Sequence, residues 1–301
     1  MRERSILGRR TARRLLVVVG AWLAAAVMAS PAAAQREKPG QEFTRQGLLV
    51  ANFAPGAGTD TVLGDRIADL LRDRLGEVLD DREVDVVKTG ELRGKLQRAG
   101  FDARGVVDMQ TLAQLGQNFR VDEFLLGTVS RGGGGVRLDA QLVLARDRRL
   151  RQPLAPVTAG SAETAVEHLS RAVVAARGQL THQRRCENAL RAGKGADAIR
   201  AARAGAAAFP QGALARTCLV TALRHTGARA PELLEAAREL LALDSMSAHG
   251  LEAAAIALDT LKRRDEAATT WLRLAATDSA NMELTERVLW ALHENGNSRA
   301  A

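Results

Sequence analysis

The stretch "SRGGGGVRLDAQLV", Ser130–Val143, carries four consecutive glycines, and the residues flanking them decide the fold of the first half of the chain. A phosphate-binding loop runs from a strand into a helix whose N-terminal amides hold the anion, and its P-loop form adds a Lys before Ser or Thr. Here Gly135 is followed by Val136 and Arg137. Val136, Leu138, Ala140, Leu142 and Leu144 then alternate with Arg137, Asp139 and Gln141, Val143 being a less polar exception. That period of two is the signature of a half-buried strand. Val121–Ser130, rich in Leu, Val and Thr, is a strand on the other side. Strand, glycines and alternating strand make an antiparallel hairpin, so Gly132–Gly135 is a turn. If the tip has a function, it is as an exposed loop offered to a partner, with Arg131 and Arg137 at its base.

Upstream, Leu48–Phe53 reads as a buried strand ended by a Pro55–Gly58 turn. Asp60 or Thr61 can cap the helix that follows. Its apolar stripe runs through Leu63, Ile67, Leu70, Leu71, Leu75, Val78 and Leu79, with Arg66, Asp69, Arg72, Asp73 and Arg74 mostly outside it. Val84–Val87 is a second strand and Glu91–Ala99 a second helix. Asp108 can cap a third helix, Met109–Phe119. Leu154–Thr158 suits an edge strand because Pro153 and Pro156 cannot donate to a ladder. The order β-α-β-α-α-β-β, with one more edge strand, predicts an α/β sandwich with a mixed sheet over residues 47–160.

The segments "LLVANFAPGAG" (from Leu48), "LGDRIADLLRDRLGE" (from Leu63), "VDVVKTGEL" (from Val84) and Met109–Val143 resemble the amino-terminal α/β domain of TolB-type periplasmic proteins. The periplasmic domains of the curli secretion channel and of related flagellar and lipoprotein-assembly factors are similar. The resemblance rests on Gly64-Asp65 at the helix start, Leu115-Gly116, and the Gly127 strand with its Arg131-Gly hairpin. The chain departs from it at Asn118–Asp122, where such domains tend to show Gly-Ala-Asp. The resemblance implies an envelope domain that binds proteins or assembles, without catalysis.

Residues 161–182 read as a connecting helix whose inward face is Ala165, Leu169, Val173 and Val174. From residue 183 to 301 a repeat appears. Gly193, Gly227, Lys262 and Gly296 recur at spacings of 34, 35 and 34, and Ala198, Leu233 and Ala267 follow the same period, as do Pro210, Ser245 and Ser279. The extra residue fits an insertion between Ala228 and Pro231. "LRAGKGADAIRAARAGAAAFP" (Leu190–Pro210) resembles the tetratricopeptide (TPR) repeat, a helix-turn-helix unit of that period. An all-α TPR-like helical solenoid is therefore expected after the α/β domain. The family pattern places Thr221, Arg224, His225 and Glu252 on a concave face, together with Asp259, Trp290 and His293. Trp290 is either a binding anchor there or a packing residue inside the last helix.

Residues 1–34 have the form of a secretory signal: six Arg, an apolar run Leu15–Met28, and Ala32-Ala33-Ala34 before Gln35. The run has 14 residues against the roughly 20 of a membrane span, so cleavage is favoured over a retained anchor. No Cys follows it to carry a lipid. Residues 35–46 are a polar linker. The leader holds +5 of the net charge of +8, which removes the main support for nucleic-acid binding. The remaining basic run, Arg146, Arg148, Arg149 and Arg151, reads as a solvated hairpin end, with contact to anionic lipid or cell wall as its alternative. Export permits a Cys186–Cys218 disulfide, while the helical setting of both also suits buried thiols.

No Cys/His spacing suits a metal, and no cofactor motif is present. There is no G-x-S-x-G around Ser130, no H-E-x-x-H, and no carboxylate pair in a distinctive context. The expectation is a non-catalytic periplasmic adaptor with protein partners in the cell envelope, no nucleic acid, and no membrane span after signal cleavage. The alternative is a sensor of ligands or cell wall that relays to a partner on the repeats. The oligomeric state is left open.

Overall fold

The computed structural model describes residues 45–294 apart from Gly133, and these residues belong to one compact unit. The expected signal and most of the linker lie outside the described residues, as does Gly296. Within them, no helix is long and apolar enough to cross a membrane.

The first part is a mixed sheet with helices on both faces. Its elements are β1 (Gln46–Val50), β2 (Ala54–Pro55), α1 (Thr61–Val78), β3 (Val84–Val86), α2 (Thr89–Arg98) and α3 (Met109–Phe119). They continue with β4 (Val121–Gly132), β5 (Gly135–Leu144), β6 (Arg151–Pro153), β7 (Val157–Ala159) and α4 (Ala162–Arg177). Strand order is β3-β1-β4-β5-β6; β2 pairs with β4 and β7 with β5. β1 is parallel to β3 and β4, and β4 and β5 form an antiparallel hairpin that closes with Gly132 opposite Gly135. Gly132 ends β4 and Gly135 opens β5, so the run leads from strand to strand and not into a helix. Asp60, Asp108 and Ser161 cap α1, α3 and α4 by accepting backbone N–H groups of the first turn.

Period two sorts each strand between two cores. Leu48, Val50, Leu125 and Leu142 face α1 and α4, whereas Leu49, Phe124 and Val143 face α2 and α3. Val143 breaks the polar alternation of β5 because α3 covers that face of the sheet. Two aromatic rings are seated on glycines. A Cβ at Gly127 would stand 2.4 Å from the Phe53 ring, and one at Gly116 would stand 2.5 Å from Phe124.

The structure departs from several expectations. Arg72 is buried rather than outside the stripe: β1 ends at Val50, and the guanidinium donates to the Val50 carbonyl (2.8 and 3.1 Å), Asn52 Oδ1 and Asp69. The first strand stops at Val50, and β2 resumes on β4 after Phe53 turns inward. The expected edge strand is two short ones on either side of 154–156, because Pro156 lacks the N–H to continue the pairing with β5. On α4 the inward positions include Ala165, Leu169 and Val173, but Val174 is 39% exposed, one residue round from the packed stripe. This helix packs on α1, β5 and β7.

The remaining helices stack as antiparallel hairpins: α5 (Leu180–Arg191) with α6 (Gly195–Ala208), α7 (Ala213–His225) with α8 (Ala230–Leu243), and α9 (Ala248–Thr260) with α10 (Arg264–Ala276). Helix α11 (Met282–Glu294) follows. These are TPR-like helical repeats. The first helix of each hairpin ends in one motif, with Lys194, Ala228 and Arg263 donating N–H to the carbonyls of Ala189, Leu223 and Leu258. The turn residues Gly193, Gly227 and Lys262 have φ of 69°, 66° and 61°. The extra residue sits in the linker Thr226–Arg229. Ala198 and Ala267 are fully buried and Leu233 nearly so, so neighbouring helices pack closely.

Lys262 occupies a left-handed position that its two equivalents fill with glycine. A Cβ there costs about 1–2 kcal/mol, part of which Gly loses again in chain entropy. Lys262→Gly is therefore expected to raise stability by about 1 kcal/mol in urea unfolding, while Lys262→Ala, which keeps its Cβ, brings no such gain.

Cys186 on α5 and Cys218 on α7 form a disulfide, with Cα atoms 6.4 Å apart. The reading as two buried thiols is thus corrected. Period places each cysteine on the buried side of the first helix of its repeat, and stacking brings those two sides together.

Candidate protein-binding cleft

The two parts share an interface built around the turn between β5 and β6. Leu144 and Leu150 anchor that turn in the sheet core, and its polar residues reach the helical array. Arg146 donates to Gln183 and Glu187 of α5, both at 2.8 Å. Arg151 makes a two-point bond to Asp244 at the end of α8, at 2.7 and 2.8 Å. Asp147 accepts from the Arg149 side chain and backbone N–H, and lies 3.9 Å from Nε2 of His249 on α9. The expected solvated hairpin end is corrected: Arg146 and Arg151 fasten the sheet to the array, and Arg149 holds the turn.

A buried amide pair seals the same junction. Gln152 of β6 accepts from the Ala213 N–H and from Gln179, and Gln179 accepts from the Ala215 N–H. Helix α7 has Gly212 at its N-cap and no side-chain cap of its own, so these glutamines satisfy its first-turn donors from other elements. Nearby, the buried Glu123 is paired with Arg177, which also donates to Gln46. Burial pushes the Glu123 carboxyl up, against the opposing pull of Arg177.

Between the turn, the exposed part of the sheet and the helices α9 to α11 lies a cleft of about 590 Å³. Its floor is the sheet, with Leu126 and Gln141 paired across β4 and β5. One wall is Asp147–Arg149 and Arg151; the other carries His249 and Glu252 of α9 and the α10–α11 corner with Asp278, Glu283 and Arg287. Glu252 is flanked by Arg224 of α7 at 3.0 Å and Arg287 of α11 at 3.4 Å, so one carboxylate ties three successive first helices.

Of the residues expected on the concave face, only Glu252 lines the cleft. Arg224 braces it from behind. Thr221 donates its hydroxyl within its own helix to the Thr217 carbonyl, and Asp259 accepts from the Trp271 indole at 2.8 Å. These two are structural in what they touch. His225 and His293 are exposed helix-end residues, and Trp290 is 66% exposed rather than packed inside the last helix. Arg131 and Arg137 are exposed at the base of the glycine hairpin, where Arg137 pairs with Asp139 on its own strand. Sequence reading missed His249, Asp244, Asp278 and Glu283. Their single signal was position near the ends of repeat helices, which selects no particular side chain. Among the described residues, no group of three or more His, Cys, Asp or Glu could hold a metal ion.

Burial and then the Arg149 charge push the His249 imidazole below its ordinary value, although Asp147 and Glu252 oppose this. Burial raises the Asp147 carboxyl, but its bonds from Arg149 outweigh that and leave it lowered. The unfolded imidazole protonates at about pH 6.5 and the folded one only below that, so between the two values the unfolded state binds more protons. His249 accordingly contributes a fall in stability as pH drops below about 6.5, opposite in sign to the contribution of the raised Glu123 carboxyl. Urea unfolding at stepped pH reads this contribution as the difference between parent and His249→Gln, which should grow as pH falls below about 6.5 with the parent losing the more stability.

No family model matches the chain, and no curated protein matches it. Among solved structures, the first TPR domain of the human RPAP3 protein is similar at 19% identity, covering 40% of this chain and 98% of that one, with a TM-score of 0.36. The first TPR of Spaghetti (RPAP3), bound to HSP90 peptide SRMEEVD, is similar at 17% identity over 42% of this chain and 98% of that one, with a TM-score of 0.37. The LpoB C-terminal domain from Salmonella enterica is similar at 15% identity over 38% of this chain and 80% of that one, with a TM-score of 0.28. At this degree of likeness, the helical-repeat assignment stands on the hairpins' own geometry.

Proposed function

We propose that the chain is an exported, non-catalytic adaptor of the cell envelope, in which a TolB-like α/β domain (47–160) and a TPR-like solenoid (183–301) bind other proteins. The observation that carries this reading is the joint cleft, in which the sheet and the repeat helices line one surface with two charged walls. The Cys186–Cys218 bridge supports export, since such bonds persist in oxidising compartments. The signal-like leader supports it independently. Both favour a periplasmic location.

Crosslinking in intact cells, followed by capture of the full chain from the envelope fraction, tests the reading. A single protein recovered reciprocally, with either member tagged, is the expected result; no protein partner in that fraction overturns it. The runner-up, a sensor of small ligands or cell wall, is favoured by the cleft's size, which falls within the roughly 300–1,000 Å³ of small-ligand sites. It predicts that cell-wall fragments raise the melting temperature without any protein partner.

A further inference from the structure

The charges of the cleft are unevenly matched. Arg149, Arg151 and Arg287 are each met inside the protein, by Asp147, Asp244 and Glu252. Among the described residues, Arg148 on the same turn has no carboxylate partner, and across the cleft Asp278 and Glu283 have no cation. Both walls are fixed before anything binds. Arg146 and Arg151 pin the turn on either side of Arg148, and Asn281 caps α11 between the two acids, accepting the Leu284 N–H at 3.0 Å while donating to Asp278.

We propose that the cleft receives a short extended peptide segment bearing a carboxylate and an ammonium group a few residues apart. The carboxylate meets Arg148 and the ammonium meets Asp278 and Glu283. This assignment deepens the protein-binding function and rests on it. Charge complementarity selects this occupant: a purely acidic segment would face the two unmatched acids, and a purely basic one would face Arg148. Size argues in the same direction, because about 590 Å³ holds a few residues while a helix is about 10–12 Å across. The floor suits an extended chain, since the half-buried Leu126 gives apolar contact and Gln141 offers an amide donor and acceptor. Guanidinium–carboxylate pairing supplies direction, so the segment lies in one orientation.

Titration calorimetry of the purified full-length chain with four blocked pentapeptides tests this. They share apolar central residues and carry Lys and Glu at opposite ends, Lys alone, Glu alone, or neither. The doubly charged peptide is expected to bind about tenfold more tightly than either singly charged one. Arg148→Ala is expected to reduce it to the level of the Lys-only peptide and to leave the Lys-only peptide unchanged. The Asp278→Asn, Glu283→Gln double variant is expected to do the converse. Thermal melts coincident with the parent confirm that these surface changes leave the fold intact. Absence of saturable binding, equal binding of all four peptides, tighter binding of a singly charged peptide, or indifference to the substitutions overturns the proposal. Reciprocal capture of an envelope protein that survives both variants overturns the cleft assignment alone. Peptide binding as expected with no captured partner overturns the adaptor reading instead.

Discussion

Replacing Gly64 by alanine is expected to cost about 3 kcal/mol or more of folding stability, while Gly76→Ala in the same helix is expected to gain up to about 1 kcal/mol. Both changes add one methyl group to α1, and helix propensity favours both. Surroundings decide the sign. At Gly64 the new Cβ would stand 2.0 Å from the Phe53 carbonyl oxygen and 3.0 Å from its carbon. That oxygen belongs to the backbone, and the Phe53 N–H also reaches the Gly64 carbonyl at 3.4 Å, so no rotamer change relieves the clash. The helix must lift from the sheet or the strand end must move. Either shift would disturb the Phe53 ring, which lies fully buried against Gly127. At Gly76 nothing lies within 4 Å of the added Cβ. Urea unfolding of the two variants beside the parent reads the contrast, and a loss below about 1 kcal/mol at Gly64 would mean that strand and helix are not in contact there.

Removal of the Cys186–Cys218 bridge is expected to lower stability by about 3.5 kcal/mol, because closing a loop of this length restricts the unfolded chain by that much. The loop has a sequence separation of 32 and contains all of α6. A repeat array gains its stability from nearest-neighbour interfaces, so a bond between the first helices of two successive repeats reinforces one such interface directly. The Cys186→Ala, Cys218→Ala double variant avoids leaving a free thiol, and its melting temperature is expected to drop by roughly 10 °C. The unfolding slope in urea should rise, since the unbridged chain exposes more surface. An unchanged slope together with a loss under about 1 kcal/mol would show that the bridge is not formed in the native protein.

Much of the fold is legible along the chain itself. The alternation from Val136 to Leu144 marks the hairpin, and Asp108 marks the start of α3 to the residue. The repeat period locates the left-handed turns at Gly193, Gly227 and Lys262. Less of the candidate site is readable. The run Arg146–Arg151 stands out as basic, yet its partners Glu187 and Asp244 lie 41 and 93 residues away. A helix on the far side of the array leaves no trace beside them in sequence. The pattern around Trp290 leaves its exposure open, because a lone aromatic in an amphipathic helix fits either face.

What the sequence alone determined are the features set by neighbours a few residues apart: strand alternation, helix stripes, capping side chains and the turn between paired helices. Each depends on backbone geometry that repeats every two or 3.6 residues or closes within one turn, so a short window contains both partners. The tertiary structure alone decided that Arg72 would be drawn inward to the open carbonyl of Val50 and that Gln152 and Gln179 would cap α7 from outside. It also joined Cys186 to Cys218 and set the β5–β6 turn against the repeats to form the cleft. The physical reason is one of demand. A buried donor, acceptor or charge must find a partner wherever packing brings one, and packing brings together residues with no fixed separation along the chain.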